Sequence, residues 1–411
     1  MELTALGPCE IWSVVGFILT KICICGLAAS LSGRLSILLT SDSFYPPKGG
    51  GDLSLRILAR HLSERGHSVG VAYFGRADPD FATTALDYPF PVRGLWPRHM
   101  VIRRILNRNL KKALDEHNPD VVITQQMALS PTVDASHERG IPVIVLLRGV
   151  DLLCLGSFWS GAEKRCDYRC IGCEDAGCML VQYPLFRREI TRIRSSLRLA
   201  EVVVSNSEYT RRTLRSIVGV ESYVLNPPVE RVAEGGRVRE SGSVLFVSPV
   251  RHKGVDIAIE LSRRLKNEHF IFAGRTRKSI AREIGRLSNV DYIPWVLDMG
   301  SCYSASKLVI VPSVIPEGYG RVCAEAQSHG LPCAVSAIGA LPETVGDAGD
   351  VVQNHRDVDS WVEVVGRYSD PDYVREKSQK ALAKASDLTT HDEHTAAIEA
   401  LIKNLIANRR T

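Results

Sequence analysis

The stretch Pro312-Ser313-Val314-Ile315-Pro316-Glu317-Gly318-Tyr319-Gly320-Arg321-Val322-Cys323-Ala324-Glu325-Ala326 decides the fold. It begins where the apolar run Leu308-Val309-Ile310-Val311 stops. That run is short, β-branched and free of charge, which marks a strand buried on both faces of a parallel sheet. From Arg321 onward the composition is helical. Strand, glycine-bearing loop and helix in succession make an anion site. The N–H groups of a first helical turn point outward and carry partial positive charge. Two carboxylates stand in this setting, Glu317 in the loop and Glu325 in the early helix, with seven residues between them. At about 1.5 Å of rise per residue, the helix carries Glu325 only about two turns in. Both can therefore line one cleft at the C-terminal end of the strand. A phosphate calls for N–H donors, whereas a sugar or ribose calls for carboxylate acceptors. A nucleotide-sugar presents both. The competing reading makes Glu325 a solvated helix residue and Glu317 an acid at a helix start.

Outward from this stretch, strand and helix alternate in both directions. In the C-terminal half, Val244-Leu245-Phe246-Val247 reads as a strand. The loop Ser248-Pro249-Val250-Arg251-His252-Lys253-Gly254 follows, then a helix over residues 255–265. Further strands are expected at 269–274, 290–296, 307–311 and 332–336, with closing helices over 357–408. On the N-terminal side, a strand over 35–40 runs into a loop that ends in Pro46-Pro47-Lys48-Gly49-Gly50-Gly51, and a helix over 52–65 follows. Strands at 68–74, 120–124, 141–147 and 201–204, and one that ends at Asn226-Pro227-Pro228-Val229, complete that half. Basic helices are expected over 98–116 and 184–199, and Ser207 reads as a helix N-cap with Glu208 in the first turn. The polar, glycine-bearing residues 230–242 read as a linker. The fold class is α/β, with one Rossmann-like domain over 35–229, a second over 243–390 and a closing helix over 391–411.

Glu317-Gly318-Tyr319-Gly320 through Glu325-Ala326 resembles the E-x7-E signature of the glycosyltransferase group 1 family. Gly339-Ala340-Leu341-Pro342-Glu343 resembles the same family's G-G-x-P-E turn. These are retaining sugar-nucleotide transferases whose two Rossmann-like domains face each other across a cleft, the GT-B fold. The resemblance covers residues 35–400 and implies roles for particular side chains. Glu317 would hold the donor sugar's hydroxyls and Glu325 the ribose. Gly318, Tyr319 and Gly320 would offer backbone N–H groups to sugar and phosphate. Lys253, in a matching Lys-Gly pair, would meet the diphosphate. Arg251 would stand in for an arginine that the family carries where this chain has Ser248-Pro249. Gly49 and Gly50 fall in a loop similar to the family's P-x-x-G-G, near the donor phosphates and the acceptor. The family often has a His-Asp pair after the strand at 141–147; this chain has Arg148-Gly149-Val150-Asp151. Arg148 would set a positive charge beside the leaving diphosphate or an acidic acceptor. The implied partners are a UDP- or GDP-sugar and a glycan or lipid-linked acceptor, in cell-surface polysaccharide assembly. No D-x-D triplet stands at a suitable loop. Charge balance is therefore expected from Lys253, Arg251 and helix starts, with no cofactor required for catalysis.

Composition fits a soluble globular protein of two or three domains: 411 residues, 45% hydrophobic, 24% charged, net charge +5. That balance suits an anionic substrate or an anionic membrane surface and does not call for nucleic acid. Of eleven cysteines, Cys154, Cys166, Cys170, Cys173 and Cys178 cluster in an expected insertion at about 152–182. Cys166, Cys170, Cys173 and Cys178 suit a structural zinc, while an iron–sulfur cluster, disulfides and free thiols are the alternatives. Residues 1–34 hold an apolar run over 11–31, preceded by Glu2 and Glu10 and followed by Arg34. They read as a disordered or misassigned leader, a membrane anchor or a cleaved signal. A cytoplasmic location, at the cytoplasmic membrane face if residues 98–116 touch headgroups, keeps the enzyme with its sugar-nucleotide supply. Two rival functions remain open at this stage. One is a sugar-nucleotide epimerase or hydrolase on the same fold. The other is a metal-stapled nucleic-acid-binding protein, which would leave Glu317, Glu325 and Lys253 unexplained.

Overall fold

The computed structural model describes residues 33–47, 49–73, 78–80, 83–85, 110–153, 183–232, 240–296 and 298–410. The first half supplies strands β1 Ser36–Thr40, β2 Ser68–Tyr73, β3 Thr83–Ala85, β4 Val121–Gln125, β5 Val143–Leu147, β6 Val202–Ser205 and β7 Tyr223–Val224. They pair in the order β3-β2-β1-β4-β5-β6-β7, and every pairing is parallel. The second half supplies β8 Ser243–Val247, β9 Phe270–Ala273, β10 Val290–Ile293, β11 Ser306–Val311, β12 Cys333–Ser336 and β13 Gly349–Val352. These pair as β10-β9-β8-β11-β12-β13, again all parallel. The central strands β4, β5 and β11 are buried along their whole length, as the mostly apolar strands of a parallel sheet covered on both faces are.

In each sheet the strand order reverses beside the first strand, between β1 and β4 in one and between β8 and β11 in the other. The chain leaves neighbouring strands there toward opposite faces and opens a crevice at their C-terminal ends. Seven helices matter below: α1 Gly50–Glu64, α2 Tyr183–Leu199, α3 Glu208–Val218, α4 Val255–Arg264, α5 Arg321–Ser328, α6 Leu341–Val345 and α7 His391–Arg410. α1 follows β1, and α4 follows β8 through a short 3-10 turn at Arg251–Lys253. α5 follows β11. These loops carry the site.

The last helix returns to the first sheet. Ile398, Ile402 and Ile406 of α7 are buried in one core with Ile37, Leu39, Leu55 and Leu58. Their spacing of four residues lays a single apolar stripe along the helix. Thus a segment that follows the second sheet in sequence packs on the first. The strand expected to end at 226–229 is β7, two residues long. Two strands lie outside the sequence expectation: β3 is three residues long, and β13 carries a charge. That charge, Asp350, is satisfied by the hydroxyls of Tyr368 at 2.6 Å and Tyr373 at 2.9 Å.

Cys302, Cys323 and Cys333 are buried free thiols. The leader over 1–32, most of the basic helix expected at 98–116 and the cluster Cys154, Cys166, Cys170, Cys173 and Cys178 lie outside the described residues. Among the described residues no helix is long and apolar enough to cross a membrane, and no group of three or more His, Cys, Asp or Glu could hold a metal ion.

Candidate active site

A cleft of about 300 Å³ opens where the loops of the two sheets meet. Its second-half wall is made by His252, Lys253 and residues 315–321. Its first-half wall includes Gly50, Gly51, Ser54, Arg148, Gly149 and Asn206.

The second-half wall follows from two turns locked together. Lys253 closes the 3-10 turn after β8, and Gly254 begins α4 at φ +82°. A Cβ at Gly254 would sit 1.8 Å from the Pro312 carbonyl oxygen, so the turn can lie against the Glu317 loop only with glycine there. The Val314 N–H donates to the His252 carbonyl at 3.1 Å and fastens the two loops. This brings Lys253 Nζ to 2.9 Å from Glu317 Oε1, with the glutamate side chain 12% exposed. Ser313 Oγ donates to the same carboxylate oxygen. Lysine and glutamate thus form a charge-assisted pair at the β8/β11 crevice, partly screened from water.

Arg148 comes from the opposite wall, just past the end of β5. Its Nε donates to Gln125 Oε1 at 2.8 Å, and its Nη2 is enclosed with no acceptor among the described residues. Burial, with Arg321 nearby, pushes this guanidinium down to about 10. It stays protonated at neutral pH, and an incoming anion would relieve the penalty of keeping it so. The backbones of the two halves touch here. A Cβ on Gly318 would meet the Arg148 carbonyl oxygen at 2.4 Å and the Gly149 Cα at 2.8 Å.

The second glutamate of the pair sits differently. Glu325 lies on α5 and does not line the cleft. Its Oε1 accepts from Arg321 Nε at 2.6 Å, and its Oε2 accepts from the Tyr303 hydroxyl at 2.9 Å. Arg321 in turn donates from Nη1 to the Gly50 carbonyl at 3.1 Å and to Ser54 Oγ at 3.0 Å. Through Arg321, the carboxylate of the second half reaches the start of α1 in the first.

Of the residues singled out from sequence, the cleft brings together Glu317, Lys253, Arg148, Gly318, Tyr319, Gly320 and Gly50. Gly49 is the extended residue that caps α1, next to the lining. Tyr319 contributes backbone at the cleft; its side chain is buried in an apolar cluster with Val229, Ala324 and Leu388. Arg251 is exposed and does not line the cleft, because the 3-10 turn presents Lys253 inward instead. Sequence reasoning passed over Arg321, Asn206, Ser54, Asp151 and His252, all of which line the cleft. Arg321 carried a usable signal, standing four residues before Glu325 on one helix face. Asn206 and Ser54 carried none, since only the tertiary fold brings them to the cleft.

Comparison with known proteins agrees with this geometry. The family described as "Glycosyl transferases group 1" matches residues 241–370, and "Glycosyltransferase Family 4" matches residues 48–231. D-inositol 3-phosphate glycosyltransferase of Mycobacterium avium is 28% identical over 211 residues, 47% of this chain and 49% of that protein. A 42.6 kDa protein from the cps region of Klebsiella pneumoniae is 21% identical over 341 residues, 75% of this chain and 87% of its own length. The matches to the inositol-phosphate transferases span about half the length of those relatives. Among solved structures, sucrose-phosphate synthase of Thermosynechococcus elongatus superposes with a TM-score of 0.73 at 15% identity, covering 91% of this chain and all of that one. HepE of Anabaena in complex with UDP and glucose gives 0.67 at 17% identity, covering 90% and 100%. These structural likenesses speak for the two-domain fold alone. The family matches, one on each half, show that the chain belongs to the group 1 glycosyltransferase family.

Proposed function

We propose that the chain transfers a sugar, with retention, from a nucleotide-diphosphate sugar to a glycan or lipid-linked acceptor in cell-surface polysaccharide assembly. The observation that carries this reading is the Lys253–Glu317 pair at 2.9 Å in the β8/β11 crevice, facing Arg148 across the cleft. A donor diphosphate would take over the lysine's charge and release the Glu317 carboxylate toward the sugar hydroxyls. The backbone of residues 318–320 would flank the sugar and phosphate. The acceptor hydroxyl attacks the anomeric carbon from the side of the leaving group. Its C–O bond forms as the bond from that carbon to the phosphate oxygen breaks. The electron pair leaves with the diphosphate, and the same oxygen takes the acceptor's proton. Arg148 would steady the negative charge that builds there, or an acidic group on the acceptor. Glu325 would reach the ribose only by exchanging its bond to Arg321. UDP and GDP are the candidate carriers; the HepE structure, which holds UDP, supports the class. The cps-region relative supports the polysaccharide setting.

Catalysis would run at the cytoplasmic side, with the basic residues 98–116 a candidate contact for anionic headgroups. Cys166, Cys170, Cys173 and Cys178 would hold a structural zinc, which metal analysis of chelator-free protein tests. Glu317→Gln tests the central assignment. It should fold and cut glycoside formation by about 100- to 1,000-fold. A variant that turns over donor at the parental rate removes Glu317 from the reaction. Formation of free sugar or an epimerised nucleotide-sugar, without glycoside, would favour the hydrolase or epimerase reading.

A further inference from the structure

The start of α3, in the first half, is capped from the second half. The first-turn donors of a helix have no partner within it. In α3, the helix's own ladder begins with the Arg211 N–H donating to the Ser207 carbonyl at 3.0 Å, and of the first-turn donors Ser207 Oγ accepts the Thr210 N–H at 3.0 Å. The two remaining donors go to Glu343 of α6. Its Oε1 accepts the Glu208 N–H at 2.8 Å, and its Oε2 accepts the Tyr209 N–H at 3.0 Å. One carboxylate thus meets the positive end of an eleven-residue helix from more than 130 residues away in sequence.

The segment bearing Glu343 also holds the acid loop. The Ala340 N–H donates to the Glu317 carbonyl at 2.9 Å, and Thr344 Oγ1 donates to the Tyr319 carbonyl. From the other side, Thr210 Oγ1 stands 3.3 Å from the Gly318 carbonyl. Asn206 Nδ2, just before α3, donates to the Arg148 carbonyl at 2.5 Å. Arg148's strand end, the α3 start, Glu343 and the Glu317 loop therefore form one connected set across the cleft.

Resting on the function proposed above, we propose that Glu343 is a positioning residue, a reversible latch that sets the closed spacing between the Arg148 and Glu317 walls. Glu343 is exposed, so water can replace either half of the contact when the cleft opens. Exposed contacts of this kind add little to global stability. Removing this one should change how the halves meet rather than whether they fold.

The test compares parent protein with Glu343→Ala and Glu343→Gln. Glu343→Ala should lower kcat/KM for transfer at least tenfold, while Kd for UDP or GDP stays within threefold and Tm within a few degrees. Amide hydrogen exchange should quicken over residues 207–211 and stay parental along the rest of α3. Glu343→Gln keeps one acceptor oxygen without the charge and should fall between the two. Parental kcat/KM, or unchanged exchange at 207–211, overturns the latch. So does a nucleotide affinity that falls by the same factor as transfer, for Glu343 would then serve the donor. If parent protein binds neither nucleotide, the proposed function fails instead, and the exchange pattern still decides whether Glu343 caps α3.

Discussion

Gly254 shows how narrowly the candidate site is drawn at the scale of a residue. Its φ of +82° and the Pro312 carbonyl beside it leave no room for a Cβ. The left-handed strain alone costs roughly 1–3 kcal/mol, and the clash adds to it. Gly254→Ala should therefore lower Tm clearly in a thermal melt and weaken nucleotide binding as Lys253 shifts; an unchanged Tm would mean that the two loops do not touch as described. Lys253, Glu317, Arg148 and Gly50 were legible in the sequence because each follows a strand that announces itself as an apolar run. The Arg321–Gly50 and Glu343–Glu208 contacts were not. Each joins residues more than 130 positions apart, and no local pattern encodes which helix start a distant carboxylate will reach.

At the scale of an element, the parallel strands were legible for the reason that β11 was: burial on both faces demands unbroken Val, Ile and Leu. β13 escaped because Asp350 interrupts its run. The helix α7 reads as a closing helix in sequence, yet its isoleucine stripe does not say which sheet it closes. Its His394 is 2% exposed. Burial, with the charges of Arg148 and His391 adding to it, pushes this imidazole down to about 3. The unfolded chain protonates a histidine near pH 6.5. The folded state resists that proton, so His394 contributes its full stability above about 6.5 and loses it as pH falls toward 3, by up to about 1.4 kcal/mol per pH unit. Burial lowers His391 in the same direction, so part of the slope belongs to it. His394→Asn should flatten the fall of stability between pH 6.5 and 4.5 in denaturant titrations. A slope identical to the parent's would place the acid sensitivity elsewhere.

The whole molecule is two sheets with the same local strand order, set so that their crevices meet. Each half contributes what a single Rossmann-like unit offers, a loop between strand and helix with a free helix start. Together they place Lys253 and Glu317 opposite Arg148, with Arg321 spanning to Gly50. That arrangement suits a ligand with an anionic centre and a hydroxyl-bearing end. The most direct test of it is calorimetric titration of UDP and GDP into the full chain and its Lys253→Ala variant. One of the two should bind the parent, and Lys253→Ala should weaken it at least tenfold while leaving the fold intact. Binding of neither nucleotide, or equal binding by parent and variant, would contradict a diphosphate seated at Lys253.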